Sequence, residues 1–251
     1  PDANKIGTWI EFRKELDLKK KPTKAEAKIS ADSKYWLWIN GELAVFEGNL
    51  KRGPNPKDSY YDIVDLAPYL KKGGNEIKVL LCYFGKGGMS HYDTGKSSFI
   101  LDAPQIGLHT DSSWESRRLS AYGISQDKEP NYRLPESIIR YDVRLADTDT
   151  LMPAVELGAW GDAPWNKLHE RPIPMWKDYG IKQLDLTKSE DGDGNIVLSA
   201  RLPYNCQFTP IIDLTDEGEG TFIRIETDHT LLSFNTQCLY AEYITGKGRQ
   251  E

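Results

Sequence analysis

A chain of 251 residues, 39% hydrophobic and 28% charged, has the balance of a globular protein, long enough for one large β domain or two ordinary ones. Its net charge of −6 argues against a phosphate-backbone partner, and no apolar stretch approaches the length of a membrane helix; neither nucleic acid nor membrane is an expected partner. The cysteines, Cys82, Cys206 and Cys238, are odd in number and do not suggest a disulfide framework.

Strand patterns dominate from the start. Ile10, Phe12, Leu16 and Leu18 recur at a period of two against Glu11, Arg13, Glu15 and Asp17, and Ala25, Ala27, Ile29 and Ala31 repeat the pattern. The lysines between them, Lys19-Lys20-Lys21 and Lys24, have no interleaved aromatics and read as a solvated loop. Tyr35-Trp36-Leu37-Trp38-Ile39, then Asn40-Gly41, then Glu42-Leu43-Ala44-Val45-Phe46 form the strongest local signal. Asn-Gly between β-prone runs is the preferred type I′ hairpin turn, because both central residues need positive φ. Both faces of this hairpin are apolar, so one should meet a core and the other a neighbouring module, with at least one of Trp36 and Trp38 largely buried.

Tyr60 to Val64 reads as a strand, and Asp65 as the cap of a single helical turn ended by Gly73 in the left-handed region. Ile77, Val79, Leu81 and Tyr83 alternate as a core strand containing Cys82, and Phe99-Ile100-Leu101 is another strand. Residues 111–140 read as long connections with a short strand or two. From Leu151 to Gly180, four prolines (Pro153, Pro164, Pro172, Pro174) and three tryptophans (Trp160, Trp165, Trp176) exclude a long helix or central strand and suggest a crossover between modules. Strands are expected again at Ile196 to Ala200, Pro210 to Leu214, Thr221 to Glu226 and Leu239 to Ile244. The expected fold is therefore all-β: a jelly-roll, galactose-binding-like β-sandwich over residues 1–145, then a crossover and a second β-sandwich-type module over 146–251. The opening at Pro1-Asp2 and the stop at Arg249-Gln250-Glu251 read as the ends of a fragment of something longer.

Motifs for chemistry are near misses. Residues 90–97, Ser90-His91-Tyr92-Asp93-Thr94-Gly95-Lys96-Ser97, nearly match a phosphate-cradling loop, but Ser90 replaces a glycine and the following residues read as strand, so no helix N-terminus can gather amides on a phosphate. Gly85-Lys86-Gly87-Gly88 fails the dinucleotide fingerprint for the same reason. Asp191, Asp193 and Asn195 match the first three ligands of a calcium loop, but Ile196 and Leu202 occupy the positions that need Gly and Glu, so a β-turn is expected. His91, His109, His169 and His229 lack the i, i+4 spacing of a zinc pair, and no serine sits in a Gly-x-Ser-x-Gly elbow. No catalytic residue, metal or cofactor is expected. Aromatic rings remain: Tyr83, His91 and Tyr92 flank a Gly-rich loop at a strand end, and with Trp114 they are the candidate carbohydrate-binding residues, because flat rings with polar edges suit the mixed faces of a sugar.

Three stretches in order carry a family likeness. Ile29-Ser30-Ala31-Asp32 through Trp38-Ile39-Asn40-Gly41 continues to Tyr61-Asp62-Ile63 and Tyr69-Leu70-Lys71-Lys72-Gly73-Gly74-Asn75-Glu76-Ile77. Thr110-Asp111-Ser112-Ser113-Trp114 is followed by Tyr141-Asp142-Val143-Arg144. Ala163-Pro164-Trp165-Asn166-Lys167-Leu168 precedes Arg171-Pro172-Ile173-Pro174. Together they resemble the N-terminal β-region of bacterial α-L-rhamnosidases of glycoside hydrolase family 78. The resemblance implies an inverting parent enzyme, periplasmic or extracellular, whose general acid and base lie in a helical-barrel domain beyond Glu251. It places no catalytic residue on this sequence, and it makes that barrel the expected partner, with a rhamnose-containing glycan as a second. The ligands of the calcium-dependent rhamnose site found in some relatives have no match here. A free-standing carbohydrate-binding module and an adhesion-type sandwich are the competing readings.

Overall fold

The structure, a computed structural model, describes residues 4–48, 53–88, 91–125, 136–202, 208–214, 218–227, 239–248 and 250. The first half forms β1 (Thr8–Leu18), β2 (Glu26–Asp32), β3 (Lys34–Ile39), β4 (Glu42–Gly48), β5 (Ser59–Asp65), β6 (Gly73–Tyr83), β7 (Ser98–Ala103) and β8 (Leu108–His109). There follow β9 (Glu115–Arg118), β10 (Tyr122–Ile124), β11 (Ile139–Asp142), β12 (Met152–Pro153), β13 (Leu168–Glu170), β14 (Thr187–Glu190), β15 (Ile196–Ser199), β16 (Phe222–Thr227) and β17 (Leu239–Ile244). Helical structure among the described residues is confined to three single 3₁₀ turns, so the protein is all-β, and no helix is long and apolar enough to cross a membrane.

A six-stranded sheet, β12-β9-β1-β6-β3-β4, faces a five-stranded sheet, β13-β5-β2-β7-β8. Alternation puts Ile10, Leu37, Ile39, Ile77, Val79 and Leu81 of the first against Ala27, Ile29, Ala31, Leu101, Ala103 and Leu108 of the second, in one buried cluster. The alanines of β2 and β7 let the sheets approach, and Trp114 fills the remaining width. Asn40 and Gly41 take φ of 53° and 81°, as the hairpin turn requires. Asp65 Oδ1 accepts from Ala67 N at 3.1 Å just ahead of the 3₁₀ turn Ala67–Tyr69, but the N-cap is Leu66 and the turn ends at Leu70 rather than at Gly73, which opens β6 with φ of 86°. The buried Asn75 closes the next corner: its Oδ1 accepts from Lys71 N at 2.8 Å, and its Nδ2 donates to Lys71 O at 2.9 Å and Gly73 O at 2.8 Å.

The β3–β4 hairpin departs from simple register. Trp38 pairs with Leu43 as a two-residue turn dictates, but irregularities between Tyr35 and Trp38 then pair Leu37 with Val45 and Tyr35 with Gly48. Tyr35 lies so close over Gly48 that a Cβ there would fall 2.2 Å from its ring, which reserves the position for glycine. Tyr35, Leu37 and Ile39 take the core face. Trp36 and Trp38 therefore stand on the outer face, both partly buried and neither exposed, and Trp36 packs against a second buried cluster, in keeping with the expectation that they do not both face water. Trp38 packs under Lys78 Nζ, 4.8 Å from its ring centroid.

The second apolar face does meet another element. A four-stranded sheet, β10-β11-β17-β16, takes strands from both sides of residue 145, with β11 and β17 parallel. Between it and the outer face of the six-stranded sheet, Trp9, Cys82 and Phe84 are buried with Trp36, Leu80, Tyr122 and Ile139 around them. A chain of rings crosses this joint: Trp36 stacks on Trp9 (5.3 Å), Trp9 on Tyr122 (4.3 Å), Tyr122 meets Tyr141 edge-on (4.6 Å), and Tyr141 stacks on Tyr243 (5.7 Å). Such pairs are worth about 0.5–1.5 kcal/mol each beyond area burial.

The proline-rich crossover adds an edge strand to each sheet, β12 beside β9 and β13 parallel to β5. Pro153 sits on an edge, where its missing N–H costs no ladder bond. The strand expected at Pro210 to Leu214 does not form: Pro210 cannot donate, Ile211 is exposed, and Leu214 N donates to Gln250 O at 3.0 Å rather than to a neighbouring strand. Cys82 is a free, buried core thiol, while Cys206 and Cys238 lie outside the described residues.

Removing the ring at the centre of the joint should be costly. Trp9→Ala is expected to lower stability by about 3–5 kcal/mol in urea unfolding; a loss below about 1 kcal/mol would mean that the second core contributes little.

Candidate functional site

The loop after β6 is the place the sequence singled out. It is bound to the β2–β3 corner by a buried polar cluster. Asp32 and Ser33 are fully buried and His91 is 1% exposed. Asp32 Oδ2 accepts from Thr94 N at 2.8 Å and Thr94 Oγ1 at 2.6 Å, and Ser33 Oγ donates to Asp32 Oδ1 at 3.0 Å. Ser33 Oγ also accepts from Phe84 N at 3.0 Å. His91 Nε2 lies 3.4 Å from Ser33 Oγ and 3.7 Å from Asp32 Oδ1, with its ring edge-on to Phe84. Tyr83 OH donates to Asp93 Oδ1 at 2.8 Å, and Gly95 N to the same oxygen at 2.9 Å.

Serine, histidine and aspartate thus meet, but not as a hydrolytic triad. A triad holds the serine on one imidazole nitrogen and the carboxylate on the other. Here both approach Nε2, and all three residues are buried. The cluster is a latch that carries the loop. Burial pushes the Asp32 carboxyl up from 3.8 to about 6, against the opposing hydrogen bonds from Thr94 and Ser33 and with a smaller push from Asp93.

Of the sequence candidates, Tyr83 and His91 are buried in this latch, and only Tyr92 turns outward, 50% exposed. Trp114 belongs to the sandwich core: it is 1% exposed, packs edge-on against Phe99 at 5.1 Å, and its Nε1 donates to His109 O at 2.9 Å. The structure therefore gathers Tyr83, His91 and Tyr92 around one loop and leaves Trp114 apart. Rings closed from solvent offer no stacking face. The run resembling a phosphate loop leads into strand β7, and Ser90 lies outside the described residues, as does His229. In the calcium-like turn, Asp191 Oδ1 accepts from Asp193 N and Asn195 N, both at 2.9 Å, so the loop spends its own carboxylate. Among the described residues no three His, Cys, Asp or Glu side chains come together as a metal group.

Two ionic clusters were not anticipated. Lys34, at the start of β3, pairs with Glu136 at 2.6 Å and Glu47 at 3.0 Å beside a cavity of about 110 Å³ lined by Trp9, Trp36, Cys82 and Phe84. Burial pulls the Lys34 ammonium down, and the two carboxylates outweigh it and leave it raised. The cavity is well below the roughly 300–1,000 Å³ of ordinary ligand pockets, and its two carboxylates converge on one ammonium rather than facing each other across open space. The second cluster pins the crossover. Asp62 is buried, accepts from Tyr35 OH at 2.9 Å, and pairs with Arg171 at 2.5 Å. Burial first, then the Asp62 charge, pushes the Tyr35 phenol well above its usual value. Ser59 Oγ donates to Trp165 O at 2.9 Å, Asn166 Nδ2 to Lys57 O at 2.7 Å, and Arg171 N to Tyr61 O at 2.9 Å. The motif Ala163 to Pro174 is thereby accounted for: Trp165, Asn166 and Arg171 are clips that hold β13 on β5. The available signal was charge inside apolar strand sequence, as in Tyr61-Asp62-Ile63 and Ser33-Lys34-Tyr35.

No family model and no curated protein matches the chain. Solved structures do. A GH78 family rhamnosidase from Bacillus sp. GL1 matches with 27% identity and a TM-score of 0.59, over 75% of this chain and 20% of that one. The chain is a rhamnosidase-like β-sandwich region. The same fold occurs in the α-L-rhamnosidase of Dictyoglumus thermophilum (18% identity, TM-score 0.57, 97% of this chain and 28% of that). It occurs too in that of Aspergillus terreus (18%, 0.60, 97% and 30%). This rhamnosidase-like region thus spans 20–30% of the length of these solved chains.

Two measurements probe the anchors. Arg171→Ala strands the buried Asp62 carboxylate and should cost about 3–5 kcal/mol by urea unfolding, with Arg171→Lys recovering part of it; a neutral Arg171→Ala would show that the pair does not hold the crossover. For Asp32, the folded pKa of about 6 lies above the ordinary 3.8, so its proton stabilises the fold at acid pH and that contribution is lost as pH rises through 6. Wild type should gain on the order of 2–3 kcal/mol relative to Asp32→Asn between about pH 7 and pH 4. A difference that stays constant across that window would contradict the assignment.

Proposed function

We propose that this chain is a non-catalytic accessory β-region of an α-L-rhamnosidase-like glycoside hydrolase, a scaffold against which a helical-barrel catalytic body of the same parent packs. The observation that carries this reading is the likeness to the Bacillus sp. GL1 rhamnosidase over 75% of this chain but 20% of that enzyme. The described polar clusters add support, because their acids are spent on structural partners: Asp32 on Thr94, Asp62 on Arg171, Glu47 and Glu136 on Lys34, Glu242 on Arg140. A second support is the apolar surface of the crossover and of the β14–β15 hairpin. Trp176, Tyr179, Ile181, Leu186, Ile196 and Leu198 are all exposed. Both strands of that hairpin have every residue exposed, and a two-stranded hairpin alone is marginal in water. A surface of this kind fits burial against a larger body.

A free-standing carbohydrate-binding module is the second reading, and the exposed Trp160 beside Tyr61 favours it. The purified chain should show no turnover of p-nitrophenyl α-L-rhamnopyranoside above buffer. Release of nitrophenol that scales with protein and disappears on unfolding would overturn the accessory reading.

A further inference from the structure

The outer side of the five-stranded sheet presents an aromatic corner that the latch and the two cores do not use. Trp160, on the crossover between β12 and β13, is 37% exposed, and its ring meets that of Tyr61 on β5 at 5.4 Å between centroids and 67° between planes. The indole is held from behind. Asp162 N donates to Ala159 O at 3.0 Å, Ala159 N to Asp162 Oδ2 at 2.9 Å, and Trp165 N to Asp162 O at 3.0 Å, while Trp165 is itself buried and clipped to Ser59. Trp160 is therefore a presented ring on a fixed turn.

The surroundings are polar. Lys28 Nζ lies 5.6 Å from the Tyr61 ring centroid. Lys28 stands opposite Ile63 on β5 and opposite Asp102 on β7, and Glu170 on β13 stands opposite Tyr61. One ledge thus offers a flat apolar ring, a second ring at a steep angle to it, a cationic donor and the carboxylate acceptor of Glu170 beside Tyr61.

We propose that Trp160, Tyr61 and Lys28 form a binding platform for one pyranose unit of a glycan. A pyranose has an apolar C–H face and a rim of hydroxyls. The C–H face would lie on the Trp160 indole, Tyr61 would bound one edge, and the hydroxyls would be met by Lys28 as donor and by Glu170 as acceptor. This site is distinct from Tyr83, His91, Tyr92 and Trp114. The choice of sugar, a rhamnoside, rests on the accessory-region reading; the platform itself rests on the ring geometry.

The test is titration of the full chain with methyl α-L-rhamnoside and with a pectin-derived rhamnogalacturonan oligosaccharide, read by calorimetry and indole fluorescence. Saturable binding near the millimolar range is expected, with Trp160→Ala weakening it by at least about tenfold and Lys28→Ala by roughly threefold. Both variants should stay folded, with Trp160→Ala lowering the melting temperature by no more than about 5 °C, because what it loses in the fold is the single ring contact to Tyr61. No saturable signal from either ligand, or binding that Trp160→Ala leaves unchanged, would overturn the platform. A blank titration leaves the accessory reading standing, whereas rhamnoside turnover would sink that reading without changing what the titration says about Trp160.

Discussion

The six-stranded sheet is apolar on both sides, and the rest of the molecule is arranged to satisfy that constraint. Ile10, Leu37, Ile77, Val79 and Leu81 face the sandwich core, while Trp9, Trp36, Leu80 and Cys82 face away. A sheet with one wet face would leave the second set in water. The four-stranded sheet covers it instead, and the stack from Trp36 through Trp9 and Tyr122 to Tyr243 makes the joint. In that cover β11 pairs in parallel with β17, which brings a strand from far along the sequence under the six-stranded sheet.

Charge is used to fix segments that burial alone would leave loose. The loop 84–97 has little apolar content, and Asp32 holds it through Thr94. The proline-rich crossover forms only short edge ladders, and Arg171 reaches back to Asp62 to hold it. Glu242 is buried and answers both Arg140 at 2.5 Å and Ser125 at 3.1 Å, which ties β17 to β11. A buried charge stripped of its partner costs several kcal/mol, so these pairs act as strict positional pins. An acid committed in this way is poorly placed to shuttle protons, which agrees with a supporting role beside a catalytic body.

The two ends of the molecule differ in how far they satisfy themselves. The two buried apolar cores are built from strands and loops before residue 145, while the crossover already exposes Met152, Val155 and Leu157. Among the described residues from Trp176 to Ile212 large apolar groups are exposed, and β14–β15 pairs with no third described strand. Trp160 is a different case, a single ring on a braced turn among charged neighbours, which is the setting of a small ligand rather than of a domain face.

The sequence by itself determined the strands, because alternation and turn chemistry are local. The Asn40-Gly41 turn, the core positions of β1, β2 and β6, the single helical turn after Asp65 and the family likeness carried by Ala163 to Pro174 were all legible. Only the tertiary structure decided which apolar face of β3 became the core: its regular pairing with β6 puts Tyr35, Leu37 and Ile39 beside Leu81, Val79 and Ile77 on the buried side and leaves both tryptophans on the other. It also decided that Trp114 is a core residue, that Asp32, Ser33 and His91 converge, and that Arg171 finds Asp62 more than a hundred positions away. Those outcomes depend on pairs brought together by sheet order, and no periodicity within one segment encodes its distant partner.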